Sequence, residues 1–380
     1  MRLSQFRQLL HATCSKKSNV EGRMLAWQIH DYGNLSQLKQ SSVRIPVLKK
    51  PTEVLIKVKA ASVNPIDIAM IRGYGAKVIN ILRIAKQMKT DLEFPLTLGR
   101  DFSGVIVEKG HQVPDRLELG DDVWGVVPVE QQGCHAQYVV VDNCFVNKKP
   151  LNLSHAEAAS ILYAGLTAWS SLWITGGLSY KSILPSISNK KILILGGSGG
   201  VGTLAIQIAK SWKLFVVTTC SADATELLKT LGANIVIDYK QNDADLKLEN
   251  EGPYHIVLDC SNQKLDDIPH KKYSYDNYIT LNSPLLRHVD DYGIVAGFAK
   301  NISSFLKSNV MQLKKSNKGC IKWGFFVPSS TGINMLQTLV ENKQLIPVVE
   351  KIYSLEELPQ AYQRVVDGHL RGKLVIEMNN

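Results

Sequence analysis

The segment that most restricts the fold is Leu195–Gly202, which reads Leu-Gly-Gly-Ser-Gly-Gly-Val-Gly and completes the apolar run Lys191–Leu195. Gly197, Gly199 and Gly202 have the spacing G-x-G-x-x-G, and Val201–Trp212 beyond has the pattern of a helix. A turn between a buried strand and a helix needs glycines there, because the chain must reverse sharply and let its backbone approach a pyrophosphate. The helix then aims unpaired N–H groups and the positive end of its dipole at the phosphates. A glycine triplet alone is a weak sign. Here it opens a series of short apolar strands alternating with helices, through Leu214–Thr219, Asp223–Leu231, Ile235–Asp238, His255–Cys260 and Tyr278–Leu281. That alternation predicts an α/β domain with a doubly wound parallel sheet, and dinucleotide binding at the glycine turn.

The end of the second strand bears on which nucleotide. An acid there would hold the adenosine ribose hydroxyls of NAD, and this chain has Thr218-Thr219-Cys220-Ser221. Without the carboxylate a 2′-phosphate meets no repulsion. Ser221 can donate to it, and Tyr239-Lys240 can supply a hydroxyl or ring face and a cation, so the balance predicts NADPH. Asp223 opposes that reading unless it is spent as the N-cap of the following helix.

The rest of the chain has another texture. Met24–Trp27 and the alternating Val54–Ala61 read as strands, and a dense series of Pro and Gly from Pro65 to Gly125 punctuates short ones such as Gly104–Glu108 and Val123–Val129. This predicts a β-rich, barrel-like domain, interrupted at residues 76–93 by a helical, basic insert near its mouth. Ser154 and Glu157 have capping-box spacing ahead of an Ala-rich helix. The C-terminal segment returns with a helix near Gly332–Glu341, a strand Ile346–Tyr353, a helix near Leu355–Asp367 and a strand Lys373–Glu377.

Composition excludes several classes. With 45% hydrophobic and 21% charged residues the chain is neither disordered nor fibrous, and no apolar run approaches a membrane span, so it reads as a soluble protein. The net charge of +10 invites a nucleic-acid reading, but four of those charges (Arg2, Arg7, Lys16, Lys17) sit in the acid-free first twenty residues. With Leu3, Phe6 and Leu10 on one helical face, that stretch has the make-up of a mitochondrial transit peptide, assigned to residues 1–22. The remaining lysines are dispersed without a recognisable nucleic-acid module, and no nucleic-acid partner is expected. The six cysteines lack C-x-x-C spacing and the histidines lack ligand spacing, so most cysteines read as small buried hydrophobes.

Taken in order, LGRDFSG (Leu98–Gly104), GGSGGVG and GHLRGKLVI (Gly368–Ile376) resemble the medium-chain dehydrogenases/reductases, in their zinc-free quinone oxidoreductase branch, over residues 24–380. Ser62–Gly75, the long insert, CSADATELLKTLGA and Lys322–Phe326 are similar to a mitochondrial member of that branch. The resemblance implies a Rossmann nucleotide domain over residues 156–334 and a GroES-like catalytic domain over 23–155 and 335–380. It implies that Ser198, Gly200, Val201 and Gly202 surround the phosphates, that Ser221 and Tyr239 meet the adenosine end, and that Leu281, Gly324 and Phe326 lie along the nicotinamide half. His369, Leu370 and Arg371 would return to the cofactor, with Arg371 as the cation for a phosphate. Read without the resemblance, Phe325 and Phe326 would be core and His369–Gly372 an ordinary loop. Asn64 is implied beside the nicotinamide, the alternative being an Asx-type turn with Pro65. Asp67 and Tyr74 are candidates for proton delivery. Arg100 with Asp101 is either catalytic or a structural ion pair.

The departures from alcohol dehydrogenases matter equally. Where those enzymes hold a catalytic zinc with a Cys and a GHE histidine, this sequence has Asn64-Pro65 and Gly99-Arg100-Asp101, and an arginine cannot ligate a metal. The four-cysteine structural zinc lobe is missing as well, so no zinc is expected. Without a Lewis acid, alcohol oxidation is a poor fit, whereas a quinone or α,β-unsaturated carbonyl spreads incoming charge over its own conjugated system. The expectation is an NADPH-dependent reductase of a small-molecule quinone or enone in the mitochondrial matrix, without zinc. The resemblance adds a link to ubiquinone biosynthesis or the respiratory chain, mitochondrial protein partners and a homodimer. The competing expectation is a nucleotide-binding scaffold or sensor with little turnover.

Overall fold

The computed structural model describes residues 22–85, 93–178, 190–313 and 318–378, so residues 1–21 of the stretch read as a transit peptide lie outside the described residues. Its centre is a six-stranded, wholly parallel sheet. The spatial order is Ile235–Asp238, Phe215–Cys220, Lys191–Leu195, Tyr254–Asp259, Tyr275–Thr280, Lys318–Trp323. Numbered along the chain this is 3-2-1-4-5-6, the order of a doubly wound dinucleotide fold. Lys191–Leu195 lies between the two halves, with Ile194 opposite both Thr218 and Leu258. Its strands are continuous apolar runs because both faces are buried: Ile192 and Ile194 pack into one core with Leu204, Ile206 and Ile208, and Leu193 and Leu195 into another with Tyr254 and Tyr278.

The second body is a mixed sheet built on Glu53–Val63, an eleven-residue strand that pairs with Asp101–Lys109, with Tyr138–Asp142 and with the C-terminal Lys373–Glu377. A small sheet of Arg23–Ile29, Lys39–Arg44 and Leu96–Thr97 covers one end. The C-terminal strand sets Leu374 opposite Val63, so the end of the chain is stitched beside Asn64.

Three local readings change in the structure. The Ala-rich segment is two helices, His155–Ala159 and Leu162–Trp169, followed by a wider helical turn Ser170–Thr175; the amide of Tyr163 donates to Asp101 Oδ2 at 3.0 Å, so the second helix starts on a side-chain acceptor. The strand expected from Ile346 begins at Val349, because the side chain of Gln207 takes both the N–H and the C=O of Ile346. Among the cysteines, Cys134 and Cys220 are buried, but Cys144 and Cys320 are exposed. The capping box forms as read, with the Ser154 hydroxyl accepting from the Glu157 amide and Glu157 Oε2 from the Ser154 amide.

Candidate active site

In a sheet of this topology ligands lie beyond the carboxyl ends of the strands. Ser198, Gly200, Val201 and Gly202 follow the first strand, Ser221 the second, Tyr239 the third, Leu281 the fifth, and Gly324 and Phe326 the sixth. Close approach in the loop is enforced by sterics. Gly196 has φ +75°, and a Cβ on Gly197 would stand 2.0 Å from Thr218 Oγ1. The helix Gly200–Ser211 opens without a side-chain cap, leaving its first N–H groups free for an anion.

The C-terminal return closes over this loop. The Gly372 amide donates to Ser198 O at 2.9 Å, and Gly199 and Gly372 form an isolated parallel bridge. Arg371 then spans the gap between the bodies, donating to Ser198 Oγ at 3.3 Å, to Ser221 Oγ at 2.7 Å and to Asp223 Oδ2 at 2.7 Å. Asp223 is therefore not an N-cap. It lies in the tight turn Ala222–Ala224, where the Ser221 hydroxyl and Arg371 hold its carboxyl down at about 2. His369 is exposed with φ +53°, Leu370 is half-buried against the catalytic core, and Tyr239 is 47% exposed at the rim.

Beneath the loop lies a buried polar network. Asn64 does more than shape a turn: Nδ2 donates to Asp101 Oδ1 at 2.9 Å and to Ser62 Oγ at 3.3 Å, and Oδ1 accepts from Lys373 Nζ. Lys373 also donates to Val63 O at 3.1 Å, and burial lowers its pKa while Asp101 and Asp67 work against that shift. Asp67 accepts from the Asn64 amide and from the Gly99 amide, both at 2.9 Å. Both its oxygens are thus turned to backbone amides. Nor do Arg100 and Asp101 form an ion pair: Arg100 Nη1 donates to Pro128 O and Gln131 O, while Asp101 takes Ser62, Asn64 and the Tyr163 amide. Arg100 is fully buried with Nε and Nη2 unpartnered, and it offsets the negative field of Asp67 and Asp101 through space.

His135 supports the same wall. Its Nε2 faces Ser62 O at 3.1 Å; a carbonyl only accepts, so Nε2 carries the proton and Nδ1 accepts from Tyr362 Oη at 2.9 Å. Burial holds its pKa below 6.5. The folded protein thus binds this proton more weakly than the unfolded chain, so the contribution to stability is full above pH 6.5 and is lost as the pH falls below it. Thermal melts across that value should show a steeper loss of stability in the wild type than in His135→Gln; identical slopes would exclude His135 as the titrating group.

Besides Tyr362, which is spent on His135, Tyr74 and Tyr163 are phenols near this network. Burial raises both pKa values, most for Tyr163, which also feels Asp67. Both are therefore neutral near pH 7 and able to donate. Tyr163 stacks on Phe326 with centroids 4.2 Å apart, and Phe326 also packs against the apolar core of the nucleotide domain, whereas Phe325 is exposed. Tyr74 lines a cleft of about 610 Å³ together with Arg72, Asn262, Arg287, Asp290 and Val365, where the two bodies face each other. A larger concavity of about 770 Å³ near Arg116 and Gln337 contains none of these groups and is remote from the chemistry. Lys373 and Tyr163 were not singled out in the sequence: Lys373 lies within the quoted stretch Gly368–Ile376 without a role assigned to it, and Tyr163 sits in an Ala-rich helix with no local motif.

The comparisons with known proteins bear on this geometry. Residues 50–151 match the alcohol dehydrogenase GroES-like domain and residues 231–376 the zinc-binding dehydrogenase family. The chain is 44% identical to the Drosophila melanogaster "NAD(P)H oxidoreductase RTN4IP1, mitochondrial" over 97% of its own length and 89% of that protein. It is 40% identical to the Homo sapiens protein of the same name, over 97% and 91%. The chain belongs to the RTN4IP1 family. As an RTN4IP1-type protein it is a mitochondrial NAD(P)H oxidoreductase with the medium-chain dehydrogenase/reductase fold. The structure resembles a quinone oxidoreductase from Coxiella burnetii, with TM-score 0.71 and 27% identity, covering 94% of this chain and all of that one.

The zinc named in the second family model finds poor donors here. Among the described residues no group of three or more His, Cys, Asp and Glu side chains could hold a metal ion. At the Asn64 position the side-chain partners are Ser62, Asp101 and Lys373, and the ammonium of Lys373 on Asn64 Oδ1 would repel a divalent ion there.

Proposed function

We propose that this RTN4IP1-type protein is an NADPH-dependent, zinc-independent reductase of a quinone or conjugated carbonyl in the mitochondrial matrix, serving ubiquinone biosynthesis or respiratory-chain function. The observation that carries the reading is Arg371, brought by the C-terminal return to Ser198 and Ser221 at the end of the second strand. A guanidinium beside a serine hydroxyl suits a 2′-phosphate, and Asp223 gives up part of its pairing when that phosphate arrives. When bound, NADPH supplies a hydride from C4 of its nicotinamide. Gly200, Val201 and Gly202 receive the pyrophosphate, and Leu281, Gly324 and Phe326 support the nicotinamide half.

The catalytic body supplies shape and a proton. Asn64, fixed from three sides by Asp101, Ser62 and Lys373, is a positioning group at the floor of the site. Tyr74 lines the cleft and keeps its proton near pH 7, so it is the candidate donor to the oxyanion that develops on the acceptor. Steady-state oxidation of NADPH and NADH with a panel of quinones and enones tests the reading. Turnover should favour NADPH and survive dialysis against a chelator; a dependence on added zinc, or equal use of NADH, would overturn those parts. Tyr74→Phe should lower kcat by roughly 10- to 100-fold with NADPH affinity unchanged. An unaltered kcat would pass the donor role to Tyr163 or water.

A further inference from the structure

The helix Ile294–Leu313 is built the wrong way round for a surface helix. Such a helix normally buries its apolar stripe and shows its polar face. Here Val295, Phe298, Ile302, Leu306 and Val310 recur at spacings of three and four on one face and are all exposed, Val295 by 85% and Ile302 by 61%. The residues turned to the protein are small or polar. A Cβ on Gly297 would come within 2.6 Å of His288 O, and Asn301 is 3% exposed, donating to Leu285 O at 2.9 Å and facing His288 Nδ1 at 2.8 Å. Asn309 accepts from the Ile321 amide at 2.8 Å and donates to Ile321 O, occupying the outer edge of the parallel sheet.

A second exposed apolar group lies beyond a neighbouring, charged helix. The helix Leu285–Tyr292 packs against Ile294–Leu313 on one side and Ala76–Ala85 on the other, the second contact fixed by Asp290, which accepts from the Gly75 amide at 2.6 Å and the Lys77 amide at 3.1 Å. Ala76–Ala85 in turn exposes Ile81, Leu82 and Ile84. The pillar between the two apolar helices contributes Arg287, Asp290 and Asp291 to the cleft that Tyr74 lines. The apolar surface therefore borders the cleft.

Charge identifies the occupant. Helix Ile294–Leu313 carries the exposed Lys300 and Lys307 and no acid, and Ala76–Ala85 exposes Lys77 and no acid, its Arg83 being buried on Glu130 O; Asp290, on the helix between them, is taken up by the Gly75 and Lys77 amides. Two copies of such a face would repel one another, whereas anionic headgroups over acyl chains satisfy both its lysines and its exposed apolar side chains. We propose that Ile294–Leu313, with Ala76–Ala85, docks the protein on an anionic lipid surface and holds the cleft against the bilayer, where a lipid-dissolved acceptor can enter. The acceptor clause rests on the quinone reading above; the docking itself does not.

The test uses the full chain with NADPH bound, in flotation with vesicles of phosphatidylcholine alone or mixed with phosphatidylglycerol. Binding should be about tenfold tighter to the anionic vesicles and weaken with salt. Phe298→Ser combined with Ile302→Ser and Leu306→Ser should lose it, while NADPH binding and turnover of a short-chain, water-soluble quinone persist; exposed positions of this kind cost little in folding. A wild type that remains unbound, or a triple variant that converts a dimer to a monomer, would overturn the docking and assign the face to solvent or a second copy. Absent docking with intact quinone turnover would leave the reductase reading standing. Docking without turnover of any quinone or enone would do the reverse.

Discussion

Arg371→Met is expected to weaken NADPH binding by roughly 10- to 100-fold and to leave NADH almost unaffected. The side chain contributes charge-assisted hydrogen bonds from one guanidinium toward Ser198 and Ser221, and methionine keeps most of its length without the charge. Its loss has a second effect. Asp223, held at about 2 by Ser221 and Arg371, stays ionised at neutral pH after the substitution and then faces an incoming 2′-phosphate without a counter-charge. Asp223→Asn on the same background should therefore recover part of the NADPH affinity. Fluorescence titration with each nucleotide checks both statements. If NADPH and NADH weaken together, Arg371 serves to hold the phosphate loop to the C-terminal return, through Ser198, and not to discriminate between nucleotides.

The second large effect lies below the loop. Lys373→Met should cost about 2–4 kcal/mol of stability and lower kcat, because it removes the donor to Asn64 Oδ1 and Val63 O in a site that water does not reach. The substitution also leaves Asp67 and Asp101 with less nearby positive charge to balance them. Lys373→Arg should not restore turnover, since a planar fork in place of a compact ammonium cannot reach both acceptors in the same space. Denaturant melts give the stability loss. A kcat that falls with KM unchanged separates displacement of Asn64 from weaker substrate binding. A fully active, fully stable Lys373→Met would exclude the network from catalysis.

The phosphate loop was legible because its determinants are local. A strand of continuous apolar residues, glycines that remove Cβ atoms, and a helix with free N–H groups are all written within Lys191–Trp212. Ser221 and Tyr239 follow from the same logic, since each comes directly after a strand that the apolar pattern marks. Asp223 was misread for the opposite reason. Its partner Arg371 is 148 residues away, and nothing near Asp223 distinguishes a cap from an ion pair. The same holds for Arg100 and Asp101. Arg100 precedes the strand and its guanidinium turns to Pro128 O and Gln131 O, while Asp101 opens the strand and takes Ser62, Asn64 and the Tyr163 amide, so adjacency in sequence argued for a pair that distant partners break.

By itself, then, the sequence determined the α/β class, the parallel sheet and the glycine turn, all properties of contiguous residues. Only the tertiary structure decided what those pieces meet. Pairing of Lys373–Glu377 with Glu53–Val63 carries Lys373 to Asn64, and the loop before that strand carries Arg371 to Ser198 and Ser221. The same packing turns the apolar side of Ile294–Leu313 outward, because Gly297 and Asn301 make the close contacts with the neighbouring helix. The reason is physical: periodicity states which side chains share a face, and only the assembled elements state whether that face is covered by protein, by cofactor or by something outside the chain.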